Sequence, residues 1–290
     1  MKPIFAIDLT NDKKNDKTNG DEFIVRTVSS YNSENLEENR KDLKDTIEKS
    51  KLPRPLRILR SVCMYVGFFV LVLTLKLLIE HGASEFSRFY GNAPYVFWIG
   101  GVAAVAWIAL SVLSGKRSKE VLDSTEAEQT TEEFVQSLDE VYAELGVPDN
   151  SVTVDVLVFR YVVKKGEIAV KSYPLSTVTH ANVEVEAFVE NGSLFIADVE
   201  HCFELPLSEI TAIRTVKKTA ILPEWHKDEE PGSQKYKQYK INVDRYGNVY
   251  VKPHYFLEIY HFGEKYGLYF PSYELPIFEK LTGLKAEEVK

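Results

Sequence analysis

The sequence predicts an α+β membrane protein: a two-helix transmembrane hairpin plus a mostly antiparallel β domain that ends in a helix. Three observations predict it. Residues 61–79 and 94–114 are long apolar runs, and no Asp, Glu, Lys or Arg occurs from position 89 to 115. From residue 151 onward apolar side chains recur at every second position, the period of a half-buried strand. At 272–281 the spacing returns to that of a helix.

Bulk composition hides this division. With 290 residues, 44% hydrophobic and a net charge of −8, the averages match one or two soluble domains. The 16 Tyr, 16 Phe and 3 Trp supply a core and argue against disorder. An acidic chain lacks the basic footprint of a nucleic-acid binder. Two cysteines, Cys63 and Cys202, exclude a disulfide framework and a four-cysteine zinc site.

The chain opens on a predicted β-hairpin, residues 1–30. Two β-prone runs, 4–9 and 23–28, flank a polar tip at 10–21 that contains the turn signal Asn19-Gly20. An isolated two-stranded hairpin is marginal in water. Both runs are therefore expected to join the C-terminal sheet, so that the membrane segment interrupts one cytoplasmic domain. Residues 31–60 follow as a polar helix and a proline elbow. The helix covers 33–50, with Ser33 or Asn32 as its cap and Leu36, Leu43 and Ile47 as a thin apolar stripe. Lys51-Leu-Pro-Arg-Pro ends it.

Residues 61–114 form the transmembrane hairpin. The 19 residues of 61–79 make roughly 28 Å of helix, close to the hydrocarbon thickness. Lys76 snorkels near one end, and Tyr95 and Trp98 stand where an interfacial aromatic belt places them. Lys51, Arg54, Arg57 and Arg60 precede the first helix, and Lys116, Arg117 and Lys119 follow the second. The positive-inside rule then puts both termini in the cytoplasm of a multi-pass cell-membrane protein, with the short connection outside. Gly100, Gly101, Ala103, Ala104 and Ala106 give the second helix a small-residue face. Such a face permits a homodimer through Gly100 and Ala104, or contact with the first helix through Gly67.

Residues 115–150 read as an acidic amphipathic helix. Phe134, Leu138, Val141 and Leu145 share one face, and Gly146 and Pro148 stop it. Residues 151–290 are the β-rich cytoplasmic domain. Strands are predicted at 152–163, 168–173, 181–190, 193–199, 203–207, 210–216, 236–243, 249–251, 255–262 and 265–270. Asn191-Gly192 is the strongest hairpin turn signal. A helix at 272–281, capped by Ser272 and ended by Gly283, buries Leu275, Phe278 and Leu281. Strands in this number close into a small barrel or split into a sandwich, with the helix over an open end.

Three segments carry a family resemblance. They are Phe188-Val-Glu-Asn-Gly-Ser-Leu-Phe-Ile, Glu204-Leu-Pro-Leu-Ser-Glu-Ile and Leu268-Tyr-Phe-Pro-Ser-Tyr-Glu-Leu. The pattern resembles the pleckstrin-homology-like superfold, in particular bacterial membrane proteins with two transmembrane helices and a YcxB-like domain. The resemblance covers about half the chain and implies an architecture rather than a function. The family domain has about seven strands against nearer ten here. Members that bind phosphoinositides carry several bases around the first hairpin. Only Lys164 and Lys165 stand there in this chain, so that activity is not carried over.

Catalytic motifs are absent from the sequence: no GxGxxG, Walker A, GxSxG, EF-hand, Cys-x-x-Cys or HExxH pattern occurs. His201-Cys202 is the one His–Cys neighbour pair, and its plainer reading is a strand whose Cys packs as a small hydrophobe. Nine tyrosines between 236 and 273 suit strand faces, because 17 bases against 20 acids in 151–290 disfavour nucleic acid. The longest C-terminal loop, 223–234, holds Trp225, His226 and Lys227, followed by three acids. Trp is a common interface anchor, and it also plugs barrel edges. Trp225, His226 and Lys227, with Lys164 and Lys165, are the candidate interaction residues. The expectation is an integral membrane scaffold or sensor, not an enzyme, with no cofactor or metal. Its β domain would bind a protein or peptide at the bilayer. The alternative is a structural or lipid-sensing membrane protein.

Overall fold

A computed structural model describes residues 1–10, 20–225 and 227–287. The fold is α+β, and it divides into two compact units: Met1–Ser33 with Asp139–Lys290, and Glu34–Leu138. Most of the polar tip expected at 10–21, Asn19 included, lies outside the described residues.

The first unit begins with β1 (Lys2–Ile4), β2 (Ala6–Asp8) and β3 (Ile24–Thr27). Two helices then belong in part to each unit, α1 (Ser30–Ser50) and, later in the chain, α4 (Thr125–Glu144). Between them come α2 (Arg54–Asn92) and α3 (Pro94–Leu122). The β-rich part continues with β4 (Val152–Lys164), β5 (Glu167–Lys171), β6 (His180–Glu190), β7 (Ser193–Ala197), β8 (His201–Pro206) and β9 (Ile210–Val216). After these follow β10 (Ala220–Leu222), β11 (Asn242–Val243), β12 (Val249–Val251), β13 (His254–His261) and β14 (Glu264–Pro271). The chain ends in α5 (Leu275–Thr282) and β15 (Ala286–Glu287).

One sheet runs β2-β4-β6-β7-β8-β3, with β5 also on β4, and a second runs β1-β14-β13-β9-β15. A small third sheet, β10-β12-β11, completes the unit. Most neighbours are antiparallel; β1 on β14, β2 on β4 and β15 on β9 are parallel. The three N-terminal strands do not form a hairpin with one another. β1 and β2 extend the two different sheets, and β3 pairs with β8. Both N-terminal runs thus lie in the C-terminal sheets, as the marginal stability of a lone hairpin demands.

Phe5 makes the corner between β1 and β2. Its φ of 58° turns the chain out of one sheet and into the other. Its buried ring packs 4.9 Å from Phe203. Val154, Val156, Leu194, Ile196 and Phe203 of the first sheet meet Ile213, Leu257, Leu268 and Phe270 of the second in one core. Phe278 of α5 joins them, stacked on Phe270 at 4.1 Å. The helix therefore covers the core where predicted. Ser272 does not cap it: a 3-10 turn at Ser272–Glu274 precedes α5, and among the described residues the buried Ser272 hydroxyl has no partner. The strand expected at 236–243 is also corrected. Lys237–Tyr239 is a 3-10 turn, which puts Tyr236 and Tyr239, three residues apart, on one inward side. Only Asn242–Val243 pairs as strand.

In the second unit, α2 holds an apolar stretch, Arg54–Glu80, and breaks at Gly82, where φ is 74°. Pro53 and Pro55 mark its start, so the elbow lies at 51–53. α3 continues eight residues beyond the predicted end at 114, and Ser124 caps α4 by accepting the Ala127 amide at 3.2 Å. α2 and α3 pack closely through their small residues. A Cβ on Gly100 would fall 2.6 Å from Val70 Cγ1, and one on Gly67 would lie 3.9 Å from Ala104 Cβ. Gly100 and Ala104 thus contact Val70 and Gly67 of α2.

Candidate functional site

Among the described residues charge is buried at two places in the β unit: Glu258, paired with Arg214 and Lys265, and a cluster around Asp155. Strand β4 alternates so that Val154 and Val156 enter the core while Asp155 faces the opposite side. That side is covered by the loop after β10 and by the turn leading into α5. Asp155 has no exposed surface. Its Oδ2 accepts the Tyr273 hydroxyl at 2.6 Å, and its Oδ1 lies 3.4 Å from Lys227 Nζ. The same ammonium lies 3.2 Å from Glu274 Oε1, which also accepts the Asp155 amide at 3.2 Å. A strand, a loop and a helix start thus meet on one ammonium.

The electrostatics follow from burial. Burial works against the Lys227 ammonium, yet Asp155 and Glu274 outweigh it and raise its pKa, so the lysine stays charged. Burial also raises the Glu274 carboxyl, which Lys227 only partly offsets. The Tyr273 hydroxyl is pushed up by burial and by the Asp155 charge, and it remains a donor. A cavity of about 420 Å³ opens beside the cluster, lined by Glu184, Lys227, Tyr236, Tyr239, Tyr273 and Glu274 among others.

The loop residues take distinct places. Trp225 packs edge-on against Tyr236 at 4.8 Å and Tyr273 at 5.4 Å, and its Nε1 donates to the Glu229 carbonyl at 2.6 Å. It is half-buried against these two rings. Lys227 reaches the buried carboxylates. His226 lies outside the described residues. Lys164 and Lys165 are exposed at the β4–β5 turn, Lys165 with φ of 52°, and neither lines the cavity. Asp155 escapes the sequence reading because it stands over 110 residues from Tyr273 and Glu274, which fall within the third resemblance segment but carry no role there. One signal was present: Asp155 is the lone acid inside the Val-rich alternation 152–158.

The His201-Cys202 pair provides no nucleophile. Burial pushes the Cys202 thiol up to about 11, so it is protonated at neutral pH. A second buried pair, His180 and His254, packs with ring centroids 5.3 Å apart. His254 Nδ1 donates to the Lys218 carbonyl at 3.0 Å, and His180 Nδ1 is 2.8 Å from Thr179 Oγ1. Among the described residues no group of three or more His, Cys, Asp or Glu is placed to hold a metal ion.

No family model, curated protein or solved structure matches the chain. The comparisons thus add nothing to the pleckstrin-homology-like resemblance of the three sequence segments.

Proposed function

We propose that the chain is an integral membrane scaffold or sensor, anchored by α2 and α3, whose β domain binds a protein or peptide at the cytoplasmic side. One observation carries the anchor. The apolar windows of Arg54–Glu80 and Pro94–Leu122 are almost wholly uncovered by protein, 0% and 11% buried. At about 1.5 Å per residue, helices of 27 and 29 residues reach about 40 Å, enough to cross a hydrocarbon core of about 30 Å with tilt. Phe68, Phe69, Trp98 and Val105 are among the large side chains left outward, a surface suited to lipid rather than water. The basic flanks support cytoplasmic termini on both sides of the hairpin.

Two packed sheets with a C-terminal helix over their core support reading the β domain as pleckstrin-homology-like. The mixed charged and aromatic cavity supports binding rather than chemistry as its task. Alkaline extraction of membranes, followed by labelling of single introduced cysteines, tests the anchor. The chain is expected to stay in the pellet, with position 92 labelled from outside and position 285 only after permeabilisation. Release into the supernatant would remove the membrane reading.

A further inference from the structure

Gly67 of α2 faces Ala104 of α3, and Val70 faces Gly100, so the two helices run antiparallel. Seven residues make about two turns and return to the same face. One such step from the Gly67–Ala104 contact leads back to Arg60 on α2 and on to Ser111 on α3. These two therefore stand on facing sides at the basic end of the hairpin, with Arg57 and Ser114 three residues further. Exposure follows the same spacing. Arg57, Arg60 and Cys63, and Ser111, Ser114 and Ser118, are partly or wholly covered, whereas Leu59, Val62, Val112 and Leu113 between them are exposed. Neither helix supplies a counter-charge here: no Asp or Glu occurs at 49–79 or at 86–119. Arg57 reaches Glu48 of α1 at 2.7 Å. Among the described residues the Arg60 guanidinium and the Ser111 and Ser114 hydroxyls have no partner. Ser61 and Thr74, by contrast, donate their hydroxyls to the carbonyl four residues back.

A half-buried guanidinium at the head of an apolar run needs an acceptor at the depth of the lipid headgroups. We propose that this seam seats the phosphate of an anionic phospholipid, with two N–H groups of Arg60 on its oxygens and the Ser111 and Ser114 hydroxyls as further donors. The proposal rests on reading α2 and α3 as the membrane anchor. Arg54 and Lys119, exposed and without a partner among the described residues, add attraction from outside the seam. A headgroup of net negative charge is favoured over a zwitterionic one, because the same bases repel a choline ammonium. A lipid phosphodiester suits the seam better than free phosphate. The apolar surface that begins beside Arg60, with Val62, Tyr65 and Phe69 exposed, is there for its acyl chains.

The full chain, reconstituted into nanodiscs of phosphatidylglycerol and phosphatidylcholine in equal parts, tests this by native mass spectrometry of the lipid that stays bound. Phosphatidylglycerol is expected to be retained over phosphatidylcholine, and Arg60→Gln to lower that preference about fivefold. Arg60→Lys keeps the charge and loses the planar fork, so it should fall between the two. Ser111→Ala combined with Ser114→Ala should lower the preference about threefold. Arg54→Gln removes the same charge outside the seam and should do less than Arg60→Gln. Melting curves matching the wild type certify the fold of each variant. Equal retention of the two lipids, or equal losses in Arg54→Gln and Arg60→Gln, overturns the seam as a site and leaves the anchor standing. Displacement of the lipid by excess inorganic phosphate overturns the lipid as its ligand. A chain that does not enter the nanodiscs removes the anchor reading, and this proposal with it.

Discussion

Lys227 Nζ lies 3.4 Å from Asp155 Oδ1, an ammonium with 17% of its side chain exposed against a carboxylate with none. Two charges taken out of water persist only while each answers the other. Lys227→Met leaves Asp155 and Glu274 facing each other without a cation. It is expected to cost about 3 kcal/mol, less than a fully sealed pair because the lysine keeps some solvent. Adding Asp155→Asn should restore more than half of the loss. Chemical unfolding followed by fluorescence measures the cycle, and additive losses would mean that the two residues are not coupled.

Arg26 of β3 makes a second long-range contact. Its Nη1 donates to the Leu145 carbonyl at 2.6 Å, next to the end of α4, where carbonyls lack helical partners. Gly146 follows with φ of 69°, and a Cβ there would lie 2.2 Å from Arg26 Nη1. Arg26→Met is expected to cost about 1–2 kcal/mol through the lost charged hydrogen bond. Gly146→Ala should cost at least about 1 kcal/mol from backbone strain, and more while the arginine is in place. In the Arg26→Met background the Gly146→Ala penalty should shrink. An unchanged penalty would put the whole effect in the backbone.

Much of this architecture was legible because each β segment has a local reason to exist. Val152 to Val158 alternate, and Asn191 and Gly192 both adopt positive φ in the turn that their types favour. The two apolar helices were legible from length alone. What could not be read was pairing at a distance. Nothing local says that β1 extends one sheet and β2 the other, since that depends on the left-handed backbone of Phe5, a residue type that seldom adopts it. The 236–243 segment was misread because Tyr and Ile suit strands, whereas packing against Trp225 and Tyr273 selects a helical turn. The buried cluster stayed hidden for the same reason as the sheet order. Asp155, Lys227 and Glu274 acquire meaning only when β4, a loop and α5 come together.

Gly100 separates two uses of the small-residue face. A Cβ there would sit 2.6 Å from Val70 Cγ1 and 2.8 Å from its Cβ, so a side chain cannot be absorbed by a flexible tip. Gly100→Val is expected to cost about 1–3 kcal/mol by pushing the helices apart. The Gly67→Cys, Ala104→Cys pair reports this directly, because a Cβ separation near 3.9 Å suits a disulfide. In a Cys63→Ala background, mild oxidation should crosslink the pair within one chain, and Gly100→Val should slow it. A crosslinked dimer instead would assign the face to association between chains.

His180 and His254 set the acid limit of the β unit. Burial, and for His180 also the charge of its neighbour, lowers their pKa values to about 3 and about 4, so both are neutral in the folded chain at pH 7. Among the described residues the buried His180 Nε2 has no hydrogen-bond partner. The unfolded chain takes up these protons below the ordinary value of 6.5, while the folded one does not. Their contribution is therefore whole above about pH 6.5 and falls as pH drops towards 4, by on the order of 6 kcal/mol for the pair. Carboxylates held low by partners act further down. Glu279, lowered by its hydrogen bond from Lys285, loses its contribution only below the ordinary 4.5. The buried Glu274 and Asp198 carboxyls, held above their ordinary values by burial, add stability as pH falls, so the histidine contribution is read from the difference between wild type and His254→Asn between pH 7 and 5. His254→Asn keeps a donor for the Lys218 carbonyl and removes one titration, so its stability should vary less across that window. Identical pH dependence of the variant and the wild type would show that His254 takes up its proton alike in the folded and the unfolded chain.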